Sequence, residues 1–150
     1  MGARRQMAEL PGQAQAQAML ASVPLFAALD KKQIRNLVAS AKERSFRAGE
    51  SIVKHGETGI GFYLILSGQA HVERAGQKVA ALGPGQFFGE MALLDEQPRT
   101  ADVKAVSPVQ CLVLSSWEFW AAVGDEPEVL RALLKETVRR LRANPAGLSD

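Results

Sequence analysis

Glu90 and Arg99 stand in one glycine-hinged segment, residues 85–101, whose residue types suit the binding of an anion and a hydroxyl group. A helix-prone stretch, residues 90–94, follows Gly89, and the first N–H groups of a helix attract anions such as phosphate. Gly89 would let a ligand approach the backbone closely, and Arg99 would add a full positive charge with forked donors. Glu90 would be repelled by phosphate, so its natural partner is a hydroxyl, such as that of a ribose. The segment therefore predicts a phosphate cradle beside an acceptor for a sugar hydroxyl.

The same residues also have a purely structural interpretation. Glu90 and Arg99 could form an ion pair that closes a turn, and Pro98, which restricts Gln97, would help to fix the arginine in either case. Thr100 could serve only as a β-branched strand residue. The residue types alone leave both interpretations open.

The composition limits the classes of function that are open to the chain. Its 150 residues, 47% of them hydrophobic and 23% charged, are typical of one globular domain with a tail. One cysteine excludes an intramolecular disulfide or a zinc ribbon, and two histidines exclude a metal or catalytic scheme that needs three imidazoles. A net charge of +2 is too weak to indicate nucleic acid or an anionic membrane as a partner.

The sequence also lacks the common signals for membrane insertion and export. No run reaches the roughly 18 apolar residues that a membrane span needs. The N-terminus has arginines but no continuous apolar core, so it does not resemble a secretory signal. A cytoplasmic location is therefore expected, at the cytosolic face if the chain is part of a membrane protein.

The chain divides into a polar N-terminal part, a strand-rich centre and a helical end. Residues 1–20 are predicted to be a tail with a helix over 12–20, because alanine and glutamine are good helix formers. Asp30 is predicted to cap a helix that runs through KKQIRNLVASAKE. From about residue 46 to 114, short apolar runs broken by glycines predict an antiparallel β-jelly-roll barrel, so the fold class is α+β.

Two helices are predicted over about 115–142, before a tail at 143–150. Ser115 or Ser116 would cap the first helix, whose aromatic residues would anchor it to the barrel. Pro127 suits the first turn of the second helix, which Asn144-Pro145 would end. In that helix the apolar residues Leu130, Leu133, Leu134, Val138 and Leu141 are predicted to form a leucine face for core packing or for a dimer.

The stretch FFGEMALLDEQPRTA resembles the phosphate-binding cassette of the cyclic nucleotide-binding domain family. Family landmarks around it are similar too: VPLF before a helix, GETG before a buried strand, LSG, and LGPG before the cassette. The resemblance covers roughly residues 23–142 and looks especially close to the nucleotide-binding domain of bacterial cyclic-nucleotide-gated potassium channels. It implies a domain over residues 21–142 whose last helix acts as a lid.

The resemblance also implies a function for each matching residue of the cassette. Glu90 would accept from the ribose 2′-hydroxyl, with Gly89 allowing close approach, and Arg99 would pair with the cyclic phosphate. The remaining positions that the resemblance implies are the backbone N–H groups of Met91 and Ala92 for the phosphate, the hydroxyl of Thr100 for the phosphate or the amino group of guanine, Val72 and Val79 or Ala80 for the base pocket, and Arg140 as a cap on the base.

The resemblance therefore implies a non-enzymatic sensor of cyclic AMP, with cyclic GMP as the other candidate. The nucleotide is a ligand, so no cofactor is expected. The expected partners are an effector domain or protein, such as a membrane channel pore, and a second copy through the C-terminal helix, but not nucleic acid. One alternative is a fragment of a Crp/Fnr-type transcription regulator, although the eight residues that follow the long helix are too few for a DNA-binding domain. A cupin-like enzyme is the other, but His55 and His71 are too few for its metal site.

Overall fold

The computed structural model describes residues 12–58, 61–95, 98–124 and 126–143. Within these ranges the chain forms eight strands, four α-helices and two short 3₁₀ helices. The strands are β1 Lys42–Phe46, β2 Ser51–Val53, β3 Gly61–Ser67, β4 Ala70–Arg74, β5 Gln77–Leu82, β6 Phe87–Phe88, β7 Asp102–Ala105 and β8 Val109–Ser115. The α-helices are α1 Gln13–Ala21, α2 Lys31–Ser40, α3 Ser116–Val123 and α4 Pro127–Ala143, and the 3₁₀ helices are Pro24–Phe26 and Glu90–Leu93.

The strands pair in two four-stranded sheets, in the orders β1-β8-β3-β6 and β2-β7-β4-β5. All of the pairings are antiparallel. Neighbours in each sheet are mostly distant in sequence, as expected when a chain winds between two facing sheets rather than forming a simple meander. The predicted antiparallel jelly roll with flanking helices is confirmed.

Two apolar cores hold these layers together. One lies between the sheets, where Ile65 and Cys111 of the first sheet meet Val53 and Val103 of the second. The other lies between the outer face of the first sheet and the helices, and three rings form its centre: Phe26, Phe62 and Phe119. The first sheet is therefore buried on both faces, which explains the nearly continuous apolar sequences of β3 and β8.

The N-terminal helices begin where the sequence predicts, but α2 ends earlier. Gly12 is the N-cap of α1, and Asp30 caps α2 in a reciprocal capping box with Gln33. The sequence assigned AKE to the end of α2, whereas the helix ends at Ser40 and the next residues form β1. β1 is an edge strand that pairs only with β8 and is largely exposed, so its charged residues face solvent and resemble a helical surface in sequence.

The C-terminal helices begin as predicted, but they bury different residues. Ser115 caps α3 in a capping box with Glu118, and Pro127 opens α4. Phe119 anchors α3 in the core, whereas Trp117 is exposed and does not. In α4 the buried residues are Val129 and Leu133, of which only Leu133 belongs to the predicted leucine face, because this side of the helix packs against the Pro24–Phe26 turn.

Four large apolar residues of α4 remain exposed: Leu130, Leu134, Val138 and Leu141. We call this set the leucine stripe. The Asn144-Pro145 helix stop and the 143–150 tail lie almost entirely outside the described residues. Among the described helices, none has the length and apolar character that crossing a membrane requires.

Candidate functional site

Gly89 joins the short strand β6 to the 3₁₀ helix Glu90–Leu93, which we call the cassette helix. Its φ is +79°, a left-handed conformation that favours glycine. A Cβ at this position would collide with the Nη1 atom of Arg99 and would lie 2.6 Å from the carbonyl oxygen of Gly61. Glycine is thus required here for two reasons. The group that approaches its backbone most closely is the guanidinium of Arg99.

The backbone of Arg99 is held in place by the loop after β2. Its N–H donates to the Glu57 carbonyl at 2.7 Å, and its own carbonyl accepts from the Gly56 N–H at 2.9 Å. Pro98 forms a β-bridge with Thr58 immediately before it. The predicted restriction of Gln97 by Pro98 lies outside the described residues. These backbone contacts direct the arginine side chain toward the cassette helix.

The side chain of Arg99 is a buried cation in the wall of the barrel. The residue is only 4% exposed, and Nη2 donates to the Gly61 carbonyl at 2.6 Å. Its guanidinium carbon lies 5.8 Å from the centre of the Tyr63 ring, which stacks on Phe88 at 4.8 Å. A guanidinium keeps its charge when buried, so this position provides a fixed positive charge of low conformational freedom.

Glu90 is a buried carboxylate at the start of the cassette helix. It is 6% exposed, and its Oε1 accepts from Nη1 of Arg140 at 2.5 Å. The turn-closing ion pair that the sequence allowed between Glu90 and Arg99 is therefore not the one that forms, since the cation on Glu90 comes from α4. The hydrogen bond that Arg140 donates to Glu90 raises the pKa of Arg140 above its ordinary value.

Arg140 connects α4 to the cassette. Besides Glu90 it contacts Glu136, one turn earlier in the same helix, with Nε donating to Oε2 at 3.1 Å. The resemblance implies that Arg140 caps the base, and this contact stays a prediction. In the structure its guanidinium lies on the Glu90 carboxylate, and its second contact, with Glu136, holds it there. Glu136 in turn accepts from Arg139, which is the main reason that the pKa of Glu136 is lowered.

The apolar residues predicted for the base pocket form a row across the second sheet. Val53 faces Val103, which faces Val72, which faces Ala80. Directly paired residues project from the same face of a sheet, so this row lines the barrel interior from β2 to the mouth at β5. Val79 is the extra residue of a bulge and has no partner in the ladder, whereas Ala80 pairs directly with Val72, so Ala80 is the better candidate of the two.

A small cavity joins this row to the cassette region. Its lining comprises Val53, Val72, Phe88, Arg99, Thr100, Ala101 and Val103. The structure thus brings Val72, Arg99 and Thr100 together around one space. Their predicted contacts with a ligand stay predictions. A larger groove of about 460 Å³ lies between α1 and α2, away from all of these residues.

The two predicted N–H donors of the cassette helix differ. The N–H of Ala92 donates to the Gly89 carbonyl at 3.1 Å, as the i to i+3 pattern of a 3₁₀ helix requires. In the described part of the chain the N–H of Met91, which precedes that bond, has no acceptor. Met91 therefore remains a candidate anion donor, whereas Ala92 could donate only if this turn rearranged.

Besides the contact of Arg140 with Glu90, three further contacts of the site were not predicted from the sequence. The Gly61 carbonyl that orients Arg99 had no signal, because backbone groups are not visible in residue types. The contact between Glu136 and Arg140 does have one, an i,i+4 pair of opposite charges on a helix. The indole N–H of Trp120 donates to the Leu93 carbonyl at 3.0 Å and so joins α3 to the cassette helix.

Comparison with known proteins agrees with this geometry. Residues 43–125 match the family model of the cyclic nucleotide-binding domain. A cyclic nucleotide-gated potassium channel of Mesorhizobium japonicum is 34% identical over 81% of this chain and 34% of its own length. A cAMP-dependent protein kinase regulatory subunit of Emericella nidulans is also 34% identical, over 77% of this chain and 28% of its own length. The chain spans about a third of the length of this channel and of two further potassium channel proteins that it matches.

Solved structures support the same assignment. The N-terminal domain of a transcriptional regulator from Streptomyces coelicolor superposes with a TM-score of 0.75 and 34% identity. The match covers 88% of this chain and 98% of that domain. The matching family model describes a binding domain rather than a catalytic one. With more than half of its residues within that model, the chain belongs to the cyclic nucleotide-binding domain family.

Proposed function

We propose that the chain is a regulatory sensor that binds cyclic AMP through the segment from Gly89 to Thr100. The observation that carries the proposal is the placement of a buried cation, Arg99, and a buried carboxylate, Glu90, on the two sides of Gly89. A cyclic nucleotide has an anionic phosphate next to a sugar hydroxyl, which matches these two charges. Arg99 would bind the phosphate, assisted by Thr100 and the N–H of Met91, and Glu90 would accept from the 2′-hydroxyl.

The apolar row of the second sheet would receive the base. Val103 and Val72 lie next to the cavity that Arg99 and Thr100 also line, and Ala80 extends the row to the open edge of the sheet. Apolar contact does not distinguish adenine from guanine, so cyclic GMP is the other candidate ligand. The name of the cAMP-dependent relative supports cyclic AMP.

Calorimetric titration with cyclic AMP, cyclic GMP and cyclic di-GMP tests this assignment. We expect binding of cyclic AMP and a weaker response to the dinucleotide. Replacing Arg99 by Gln should weaken binding about ten- to a hundredfold, because a hydrogen bond to a charged group contributes roughly 1.5–3 kcal/mol. Arg74→Gln, which removes a charge from an exposed strand residue, is the matched control and should leave affinity unchanged.

Two outcomes would contradict the proposal. One is a wild-type chain that binds none of the three nucleotides. The other is an Arg99→Gln variant that unfolds as cooperatively as the wild type and binds with unchanged affinity. Thermal unfolding of both variants, followed by circular dichroism, separates lost binding from lost structure.

The last helix would act as a lid on the bound nucleotide. Two contacts support this part of the proposal, since Arg140 joins α4 to Glu90 and Trp120 joins α3 to Leu93. A nucleotide that draws the cassette helix inward would therefore displace both helices with it. A ligand can shift such an equilibrium only by its differential affinity for the two states. Hydrogen exchange over α4 should slow when cyclic AMP is added, and identical protection with and without nucleotide would contradict lid closure.

The partners and the location of the chain follow from the same proposal. An effector, such as a channel pore of the kind named in the matching channel, would receive the signal in the cytoplasm. The leucine stripe of α4 supports a second copy of the chain as a further partner, because apolar residues spaced by three and four positions can form a two-fold helix pair.

The alternative is that the chain is the sensor part of a Crp-type transcription regulator. The match to the N-terminal domain of a transcriptional regulator favours this candidate as a different output for the same ligand. Two measurements distinguish this regulator from a sensor that signals to a channel pore: the mass of the native protein in its source cells and its cross-linking to DNA. A native protein that cross-links to DNA when cyclic AMP is present would support the regulator.

A further inference from the structure

Arg140 is shared between two carboxylates that belong to different parts of the fold. Its Nη1 donates to Glu90 at 2.5 Å on the cassette helix, and its Nε donates to Glu136 at 3.1 Å on α4. The same Nη1 lies 3.7 Å from the sulfur of Met91. The guanidinium is therefore held by its own helix while it reaches the cassette.

The Glu90 carboxylate uses only one of its two oxygen atoms. Oε1 accepts from Arg140, whereas Oε2 is buried and has no hydrogen-bond donor in the described part of the chain. A buried acceptor without a donor is unfavourable, so a hydroxyl delivered to Oε2 would stabilise the site. Because Arg140 occupies the other oxygen, the sugar can add a hydrogen bond to Glu90 without displacing the ion pair.

We propose that Arg140, held by Glu136, is a positioning residue that aims Oε2 of Glu90 at the 2′-hydroxyl of the sugar. The preference for ribose over deoxyribose cyclic nucleotides would then depend on α4 as well as on the cassette. This inference rests on the proposed function, since it concerns how the same site selects its sugar.

The charges around Glu90 explain why such a residue is needed. Arg99 lies against Gly89, so the phosphate that it binds would lie near the Glu90 carboxylate and repel it. A cation on Oε1 offsets that repulsion and leaves Oε2 available as an acceptor. Glu136 fixes the cation without neutralising it completely, because it also shares its charge with Arg139.

The experiment compares cyclic AMP with its 2′-deoxy analogue, each titrated into the purified chain by calorimetry. The wild type should prefer cyclic AMP about ten- to a hundredfold, as expected for a hydrogen bond to a charged acceptor. Arg140→Gln should lower this preference to within a few fold, and Glu136→Gln should lower it in part. Arg131→Gln and Glu128→Gln remove the same charges from exposed positions of α4 and should leave the preference unchanged.

A double mutant tests whether Arg140 acts through Glu90. In a Glu90→Gln background, Arg140→Gln should change the ratio of the two affinities no further, because the acceptor through which it acts is already altered. A merely structural function of Arg140 would instead weaken both nucleotides equally in either background.

Each other outcome overturns the inference and identifies what failed. Equal loss of affinity for both nucleotides in Arg140→Gln leaves the proposed function intact but removes the positioning function. A gain in affinity in Arg140→Gln would show that the ion pair between Arg140 and Glu90 competes with the ligand. If the wild type binds neither nucleotide, the proposed function fails together with this inference.

Discussion

The Nη1 atom of Arg140 lies 2.5 Å from Oε1 of Glu90, although the two residues are 50 positions apart in the sequence. This contact places the end of α4 directly on the first residue of the cassette helix. The hydrogen bond from Trp120 to the Leu93 carbonyl joins the other end of the cassette helix to α3. Polar contacts at both ends of the cassette helix therefore connect the site to the C-terminal helices.

We predict that Trp120→Phe weakens the connection between the cassette and the C-terminal helices. The substitution removes the indole N–H but keeps an aromatic ring beside Phe119, whose ring centre lies 5.1 Å away. A neutral hydrogen bond contributes roughly 0.5–1.5 kcal/mol, so the melting temperature should fall by a few degrees. The larger effect should be on hydrogen exchange, where cyclic AMP should protect α4 less than in the wild type.

Trp117→Phe provides the control for this experiment, because Trp117 is exposed on the same helix. It should alter neither the melting temperature nor the protection of α4. If Trp120→Phe leaves the nucleotide-induced protection of α4 unchanged, the contact with Leu93 does not transmit binding.

Gly89→Ala should reduce both stability and nucleotide binding. Gly76 offers a matched comparison, because its φ of +78° is nearly equal to the +79° of Gly89 but open space surrounds it. Gly76→Ala should therefore cost only the backbone strain of about 1–2 kcal/mol for a left-handed alanine. Gly89→Ala should cost more, since its Cβ would displace Arg99 and press on the Gly61 carbonyl. Urea unfolding and calorimetry of the two variants measure the difference, and equal losses would contradict the steric explanation.

The local parts of the site could be predicted from the sequence. Glycine at position 89, the following helical turn, the Asp30 cap and the Pro127 start depend on neighbouring residues, and all appear in the structure. For Arg99, the family resemblance favoured phosphate binding over a turn-closing ion pair. These features depend on residues only a few positions apart, so the local sequence is enough to place them.

The parts that were missed depend on tertiary partners. β1 carries charged residues because it lies at a sheet edge, and only its pairing with β8 makes it a strand. The orientation of α4 was equally hidden, since its apolar residues surround much of the helix and packing decides which of them are buried. The contact of Arg140 with Glu90 depends on that orientation. It therefore could not be predicted from the sequence either.

Cys111 should resist thiol reagents while the protein is folded. It is fully buried between the sheets, and burial raises its pKa to about 12. At pH 8 the thiolate fraction of such a group is about one in ten thousand. Ellman's reagent should therefore react rapidly in urea and very slowly in native buffer. Rapid native labelling would show that β8 opens often.

The same thiol gives stability a definite pH dependence. The unfolded chain loses this proton near its ordinary pKa of 9.0, whereas the folded chain retains it until about 12. The contribution of the thiol is therefore fully present below pH 9 and is lost as the pH rises through this interval. Cys111→Ala should remove that part of the alkaline loss of stability, which urea titrations at pH 8 and pH 10 would measure.

Leu134→Glu should prevent self-association of the chain. Leu134 is 65% exposed at the middle of the leucine stripe, and in a two-fold helix pair both copies would be buried. Each buried leucine contributes roughly 1.5–3 kcal/mol, so the substitution should weaken dimerisation at least a hundredfold. Sedimentation velocity over a range of protein concentrations measures this effect. Ala121→Glu adds the same charge at an exposed position of α3, outside the stripe, and should dimerise normally. A wild-type chain that stays monomeric at every concentration would contradict self-association through the leucine stripe. The stripe would then bind a different partner.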